Sequence, residues 1–268
     1  MTDRLTVGRR GSRLLVEERR RRILELLVEQ ERVTVTELVD RFGVSAVTVR
    51  ADLDALAGSG QLLRSHGGGL ARVGPLLDMP LSVKQALHHA EKVRIGRAAA
   101  ALVRNGETAI LDSGTTTAEI ARALKQRSLS SFTVITNALN VATELAAQPA
   151  ARVIVMGGIL RPTSLSLVGP QAEHTLASLR ADRLFLGVDG FDPDLGMTTP
   201  DLLEAQLNAL MIRVSREVTI VADASKFSRR SVSLIGTLEA VHRVITDDRV
   251  PPEVVTALRA RDVEVVTV

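Results

Sequence analysis

From residue 108 onward, short apolar runs alternate with longer stretches of helical pattern, and few folds accept such a chain. The strand candidates are 108–111, 132–135, 153–156, 184–186, 218–221, 241–245 and 263–268. Between them lie mostly helical segments of roughly 15–30 residues. Strands this uniformly apolar need cover on both faces, and strand–helix alternation supplies it as a parallel sheet with helices on either side. The expectation is therefore a doubly wound, mostly parallel α/β sheet. A helix over 82–103 precedes the first strand.

The 268 residues exceed what one small module needs, and a prior of roughly 100–200 residues per domain suggests two. The break falls at 72–80, where two prolines and a glycine interrupt any period. This predicts one domain over 16–71 and a second over 82–268. Residues 1–15 read as a mobile basic arm without the continuous apolar stretch of a signal peptide. No apolar run approaches the ~20 residues that span a bilayer, so no membrane partner is expected. Cysteine is absent, which excludes disulfides and thiolate metal sites and points to the cytoplasm.

Charge is concentrated at one end. Residues 1–75 hold 13 arginines against 10 acidic residues, and the remainder balances, 21 against 21. A basic module joined to a neutral domain suits nucleic acid. Tryptophan and tyrosine are absent, which disfavours stacking on single strands and leaves double-stranded DNA as the partner. Within 16–71 three helices are expected. The first runs over 16–30, with Ile23, Leu24, Leu26 and Leu27 inward and Arg19 to Arg22 on the polar side. A second runs to Phe42 from a cap at Thr34 or Thr36, and a third runs from Ser45 to about Ala57 with Val49, Leu53 and Leu56 inward. The four-residue turn Gly43-Val44-Ser45-Ala46 between the last two matches a helix-turn-helix. A short strand over 61–63 and a tight turn over 66–69 resemble a wing. The DNA-contact candidates are the hydroxyls of Thr36, Ser45 and Thr48, with Arg50, Arg64 and His66. Arginine can grip guanine through O6 and N7. Each also has a plainer role, such as capping for Ser45 or an Arg50–Asp54 pair on the helix.

In the second domain, Asp112-Ser113-Gly114-Thr115-Thr116-Thr117 follows a strand and opens a helix. Free N–H groups and the positive end of the helix dipole make such a turn an anion site. No Gly-Lys-Ser/Thr follows, so it is not a nucleotide-hydrolysing loop. Asn137, Gly157, Gly158, Asp189 and Asp223 follow other strands, at the sheet edge where open α/β folds bind ligands. Arg161 and Lys226 could complement phosphate, and Glu204 joins the candidate set. His88-His89 reads as helix surface; no metal and no cofactor are expected.

The ordered segments Phe42-Gly43-Val44-Ser45-Ala46-Val47-Thr48-Val49-Arg50-Ala51-Asp52-Leu53 and Gly60-Gln61-Leu62-Leu63-Arg64-Ser65-His66-Gly67-Gly68 resemble the N-terminal domain of the DeoR family of bacterial repressors. So do Asp112-Ser113-Gly114-Thr115-Thr116-Thr117, Gly157-Gly158-Ile159-Leu160-Arg161, Glu204-Ala205, Asp223-Ala224-Ser225-Lys226-Phe227 and Ile245-Thr246-Asp247 in the second domain. The resemblance implies a winged helix-turn-helix and a second domain similar to ribose-phosphate isomerases and CoA transferases. It implies repression of a carbohydrate-catabolism operon, relieved by a phosphorylated sugar. Ala51 departs from a frequent second arginine and Asn208 from a frequent lysine. The segment from Thr199 to Asn208 looks more like the branch that regulates N-acetylgalactosamine (aga) operons.

Two other functions fit parts of the pattern. A sugar-phosphate isomerase or transferase could use Asp112, Asp189 or Glu204 as a base, but the chain offers no clear acid–base pair. An architectural DNA binder would not need a neutral second domain. A single helix-turn-helix makes few base contacts, so a homodimer or homotetramer is expected.

Overall fold

The computed structural model describes residues 15–30, 32–71, 81–227 and 229–268. The arm expected over 1–15 lies outside them except for Leu15, and so does the linker expected over 72–80. The chain divides into two units, Met1–Gly74 and Pro75–Val268.

The first unit runs α1 (Val16–Gln30), β1 (Arg32–Thr34), α2 (Val35–Phe42), α3 (Ala46–Gly58), β2 (Leu62–Ser65) and β3 (Gly68–Ala71). Thr34 caps α2, its side chain accepting from Glu37 N–H. Gly43 ends α2 at φ +62°, a left-handed conformation that costs glycine little. Ser45 caps α3 by accepting from Thr48 N–H. Val49, Leu53 and Leu56 are buried as the apolar period requires, roughly 2 kcal/mol each by burial. Two local expectations change. Only His66-Gly67 turns; Gly68 and Gly69 are already in β3, which lies antiparallel between β1 and β2. Arg19 is not on the polar side but 6% exposed, bonded to the equally buried Asp52 at 2.5 Å, with Arg20 on the other carboxylate oxygen at 3.0 Å. A buried carboxylate needs such partners, and this one recruits two from α1.

The second unit opens with α4 (Leu81–Ala86) and α5 (His89–Ala101). The single helix expected over 82–103 is broken at Leu87-His88, where His88 takes φ +50°. The buried ammonium of Lys92 satisfies the carbonyls of Lys84 and Leu87 there, replacing the intrahelical bonds that the break removes.

Then come β4 (Thr108–Leu111), α6 (Thr115–Lys125), β5 (Phe132–Thr136), α7 (Leu139–Leu145), β6 (Ala151–Val155), β7 (Ile159–Arg161), β8 (Ser166–Val168), α8 (Pro170–Ala177), β9 (Ala181–Leu186), β10 (Gly190–Asp192), β11 (Gly196–Thr199), α9 (Leu202–Val214), β12 (Ser215–Val221), β13 (Ser233–Gly236), β14 (Arg243–Thr246), α10 (Pro252–Arg259) and β15 (Glu264–Thr267). Seven strands pair in parallel in the order β15-β14-β12-β9-β4-β5-β6. These are the seven expected, within a few residues at their ends. Alternate residues bury on opposite faces: Ala109 and Leu111 pack with α5, α6 and α7, whereas Ile110, Leu184 and Leu186 pack with α8, α9 and α10. The hairpin β7–β8 and the antiparallel sheet β10-β11-β13 were not anticipated. The latter brings Phe191 onto Phe227, ring centroids 5.2 Å apart and edge-on.

From β4 the chain winds outward through β5 and β6. From β9 it winds the other way through β12, β14 and β15. The direction reverses between β4 and β9, and an open parallel sheet leaves a crevice at that point.

Candidate functional site

That crevice is a cavity. Asp112, Ser113, Gly114, Thr115 and Thr116 line it after β4, and Gly187, Val188 and Asp189 after β9. Glu204 and Asn208 reach it from α9, Lys84 from α4, Lys92 from α5, and Lys226 follows β12.

Asp112 is 2% exposed, and its Oδ1 has no hydrogen-bond partner among the described residues. Burial pushes its carboxyl up to about 8, against the opposing pull of the Gly187 N–H and the Thr117 hydroxyl. At neutral pH it is therefore an acid able to donate a proton to a ligand oxygen. Asp189 goes the other way. Burial would raise it, but Lys84 at 2.8 Å and Lys226 at 3.7 Å hold it at about 2. Burial lowers Lys92 to about 8. Glu204 collects the hydroxyls of Ser164 at 2.7 Å and Ser166 at 2.8 Å and the guanidinium of Arg161 at 3.3 Å. Arg161 also holds Asp201, the N-cap of α9, at 3.1 Å. The cavity wall thus carries the first turn of α6, hydroxyls and ammoniums, as an anion requires, together with the hydroxyl-bonded carboxylate of Glu204.

Not every expected residue lies there. Of the candidates, Asp112 to Thr116, Asp189, Glu204 and Lys226 line the cavity. Thr117 turns inward and donates to the carbonyls of Asp112 and Gly114, each at 3.0 Å. Asn137 binds Leu167 O, Gly157 and Gly158 lead into β7, and Arg161 is taken up by the two carboxylates of α9. Asp223 caps the short turn at Ser225 and reaches the cavity only through its field on Lys226 and Lys92. His88 lies 3.5 Å from Arg249 and His89 3.6 Å from Glu119, so the pair diverges. Sequence reasoning missed Lys84, Lys92, Thr163, Ser164 and Thr199. It noted Asn208 only as a departure, yet that amide is 5% exposed and lines the cavity.

In the first unit, the exposed side of α3 presents Val47, Arg50, Ala51 and Asp54. Val47 is 73% exposed, unusual for valine. Ser45 and Thr48 share a hydroxyl contact of 2.9 Å. Thr36 and His66 are exposed. Arg64 is committed, donating to Asp54 at 2.7 Å and to Gly68 O. Asp54 therefore serves the wing and not Arg50.

Among known proteins, residues 19–72 match the DeoR-like helix-turn-helix domain and residues 87–248 the DeoR C-terminal sensor domain. A relative from Escherichia coli O157:H7, whose name gives it provisionally as an aga operon transcriptional repressor, is 38% identical over 94% of this chain and 93% of its own. The glycerol-3-phosphate regulon repressor of Escherichia coli K12 is 35% identical over 90% and 94%. A solved ribose 5-phosphate isomerase A from Neisseria gonorrhoeae aligns over 55% of each chain, with a TM-score of 0.38 and 16% identity. With each unit matched by its own family domain and relatives matched nearly end to end, the chain belongs to the DeoR family: a DNA-binding transcription regulator with a helix-turn-helix and a sensor domain.

Proposed function

We propose that the protein acts in the cytoplasm as the repressor of a carbohydrate-catabolism operon, released from operator DNA when a phosphorylated sugar or amino sugar occupies the cavity between β4 and β9. Residues 16–71 bind DNA and residues 82–268 sense the effector. The observation that carries this is the cavity itself, lined at the sheet's switch point by Thr115 and Thr116 of the first turn of α6, three lysines and the partnerless oxygen of Asp112. Relatives named for repression of the aga operon and the glycerol-3-phosphate regulon support a sugar-related effector. The isomerase alternative loses ground because two of its three candidate bases are held, Glu204 by Arg161 and two serines and Asp189 by two lysines, and burial keeps the third, Asp112, protonated at neutral pH.

On DNA, α3 lies in the major groove, with Arg50 reading guanine and Val47 set against a thymine methyl. Arg64 acts indirectly, by fixing the wing to α3. Two such heads are needed for a repeated operator, so the protein works as a homodimer or homotetramer. Exposed Ile159 and Leu160 on β7 and Leu234 on β13 are apolar surface such assembly would cover.

The experiment is a titration of the full chain on duplex from upstream of its own operon, with and without a panel of hexose and amino-sugar phosphates. Release by one phosphorylated sugar, and not by its neutral parent, is expected. Arg50→Ala should weaken operator binding by about 1–3 kcal/mol and flatten base preference at one position. Unchanged affinity on both operator and scrambled duplex would remove α3 from the reading role.

A further inference from the structure

Helix α4 is the first described element after residues 72–80, and four hydrogen bonds tie it and the residue after it to the cavity region. Leu81 N–H donates to Thr163 O at 2.8 Å. Lys84 Nζ donates to Asp189 Oδ1 at 2.8 Å. Lys92 donates to the carbonyls of Lys84 and Leu87 at the C-terminal end of α4, where the helix dipole is negative. The helix also packs on α6, whose first turn supplies the amides of the anion site.

Asp189 is a shared partner. Lys226 approaches the same Oδ1 at 3.7 Å, and Thr199 donates to Oδ2 at 3.4 Å. Glu204 and Asp201 share Arg161. Lys84 and Lys226 both reach Asp189, and Lys92 lies in the fields of Asp223 and Glu119. A phosphate has enough oxygens to take an ammonium and the amides at once, whereas one oxygen of Asp189 must serve two lysines.

We propose that Lys84 is a ligand-binding residue that exchanges partners. The phosphate of the effector takes its ammonium from Asp189, leaves Asp189 to Lys226, and so fixes segment 81–86, the stretch joined through residues 72–80 to the DNA-binding unit. This rests on the effector site proposed above and adds to it the residue through which occupancy reaches the linker.

Hydrogen exchange and calorimetry on the full chain test it, with inorganic phosphate as the probe. Phosphate should slow exchange both at 113–118 and at 81–88. Lys84→Met should bind phosphate at least about tenfold more weakly, the loss of one charge-assisted bond, and should lose the effect at 81–88. Lys226→Met should also bind more weakly but keep it. Asp189→Asn removes the competing carboxylate and should bind phosphate more tightly. Protection at 113–118 with no change at 81–88, or weaker binding by Asp189→Asn, overturns the exchange of partners and leaves the effector site standing. Protection at neither segment overturns both.

Discussion

Replacing Asp112 by asparagine isolates the group on which the cavity's electrostatics turn. Asparagine has nearly the shape of the protonated carboxyl but cannot ionise. In the folded chain the Asp112 proton is held up to about pH 8, against an ordinary value of 3.8. Between those values the folded state binds a proton that the unfolded state has released, so stability falls as pH rises, by roughly 1 kcal/mol per pH unit. Over the whole window the loss approaches about 6 kcal/mol as an upper limit, since relaxation and water entry reduce it. Wild type and Asp112→Asn share every other titrating group, so their difference contains Asp112 alone. The variant should be close to wild type near pH 4 and gain on it steadily to about pH 8. Urea titrations followed by far-ultraviolet circular dichroism suit a chain without tryptophan or tyrosine. A difference that stays constant over that range would show that Asp112 is ionised in the folded protein and would refute the argument.

Two stability changes follow from close packing. Gly96 lies where α5 meets α6, and a Cβ there would fall 2.7 Å from Glu119 Cβ and 2.8 Å from its backbone carbon. Gly96→Ala should therefore destabilise the second unit by about 1–3 kcal/mol through overpacking, reduced by up to ~1 kcal/mol from helix propensity, as a shift in urea midpoint would report. Arg19→Met strands half of the buried Asp52 carboxylate and should cost the first unit roughly 3 kcal/mol, with Arg20 at 3.0 Å limiting the loss. A thermal melt of the variant unchanged from wild type would place Arg19 outside the core.

The seven central strands were readable because a strand buried on both faces becomes a continuous apolar run. Strands β7, β8 and β10 span three residues each and leave no period to detect. The break at His88 was hidden because its cause, Lys92, looks like any helix-surface lysine until its burial is known. Likewise nothing in four consecutive arginines marks Arg19 as the one buried against Asp52, 33 residues away. Within the site, the Asp112–Thr116 wall was legible since a strand, a glycine and a helix start stand together in sequence. The ammonium wall was not, because Lys84 and Asp189 are 105 residues apart. Arg161 misled for the opposite reason: its guanidinium suits phosphate, but the nearest anions are its own neighbours on α9.

The central claim is that a phosphorylated sugar binds at the start of α6 and, from there, weakens DNA binding. Thr115 is buried at the first position of that helix and lines the cavity. Thr115→Glu would set a carboxylate where the phosphate belongs. Calorimetry of the effector with wild type and this variant, each with and without operator duplex, tests the claim most directly. For wild type, operator DNA should weaken effector binding by the same factor that effector weakens DNA binding, about 5–150-fold for a typical coupling. Thr115→Glu should hold operator normally and bind no effector. Equal effector affinity with and without operator, or a variant that still responds, would contradict the account.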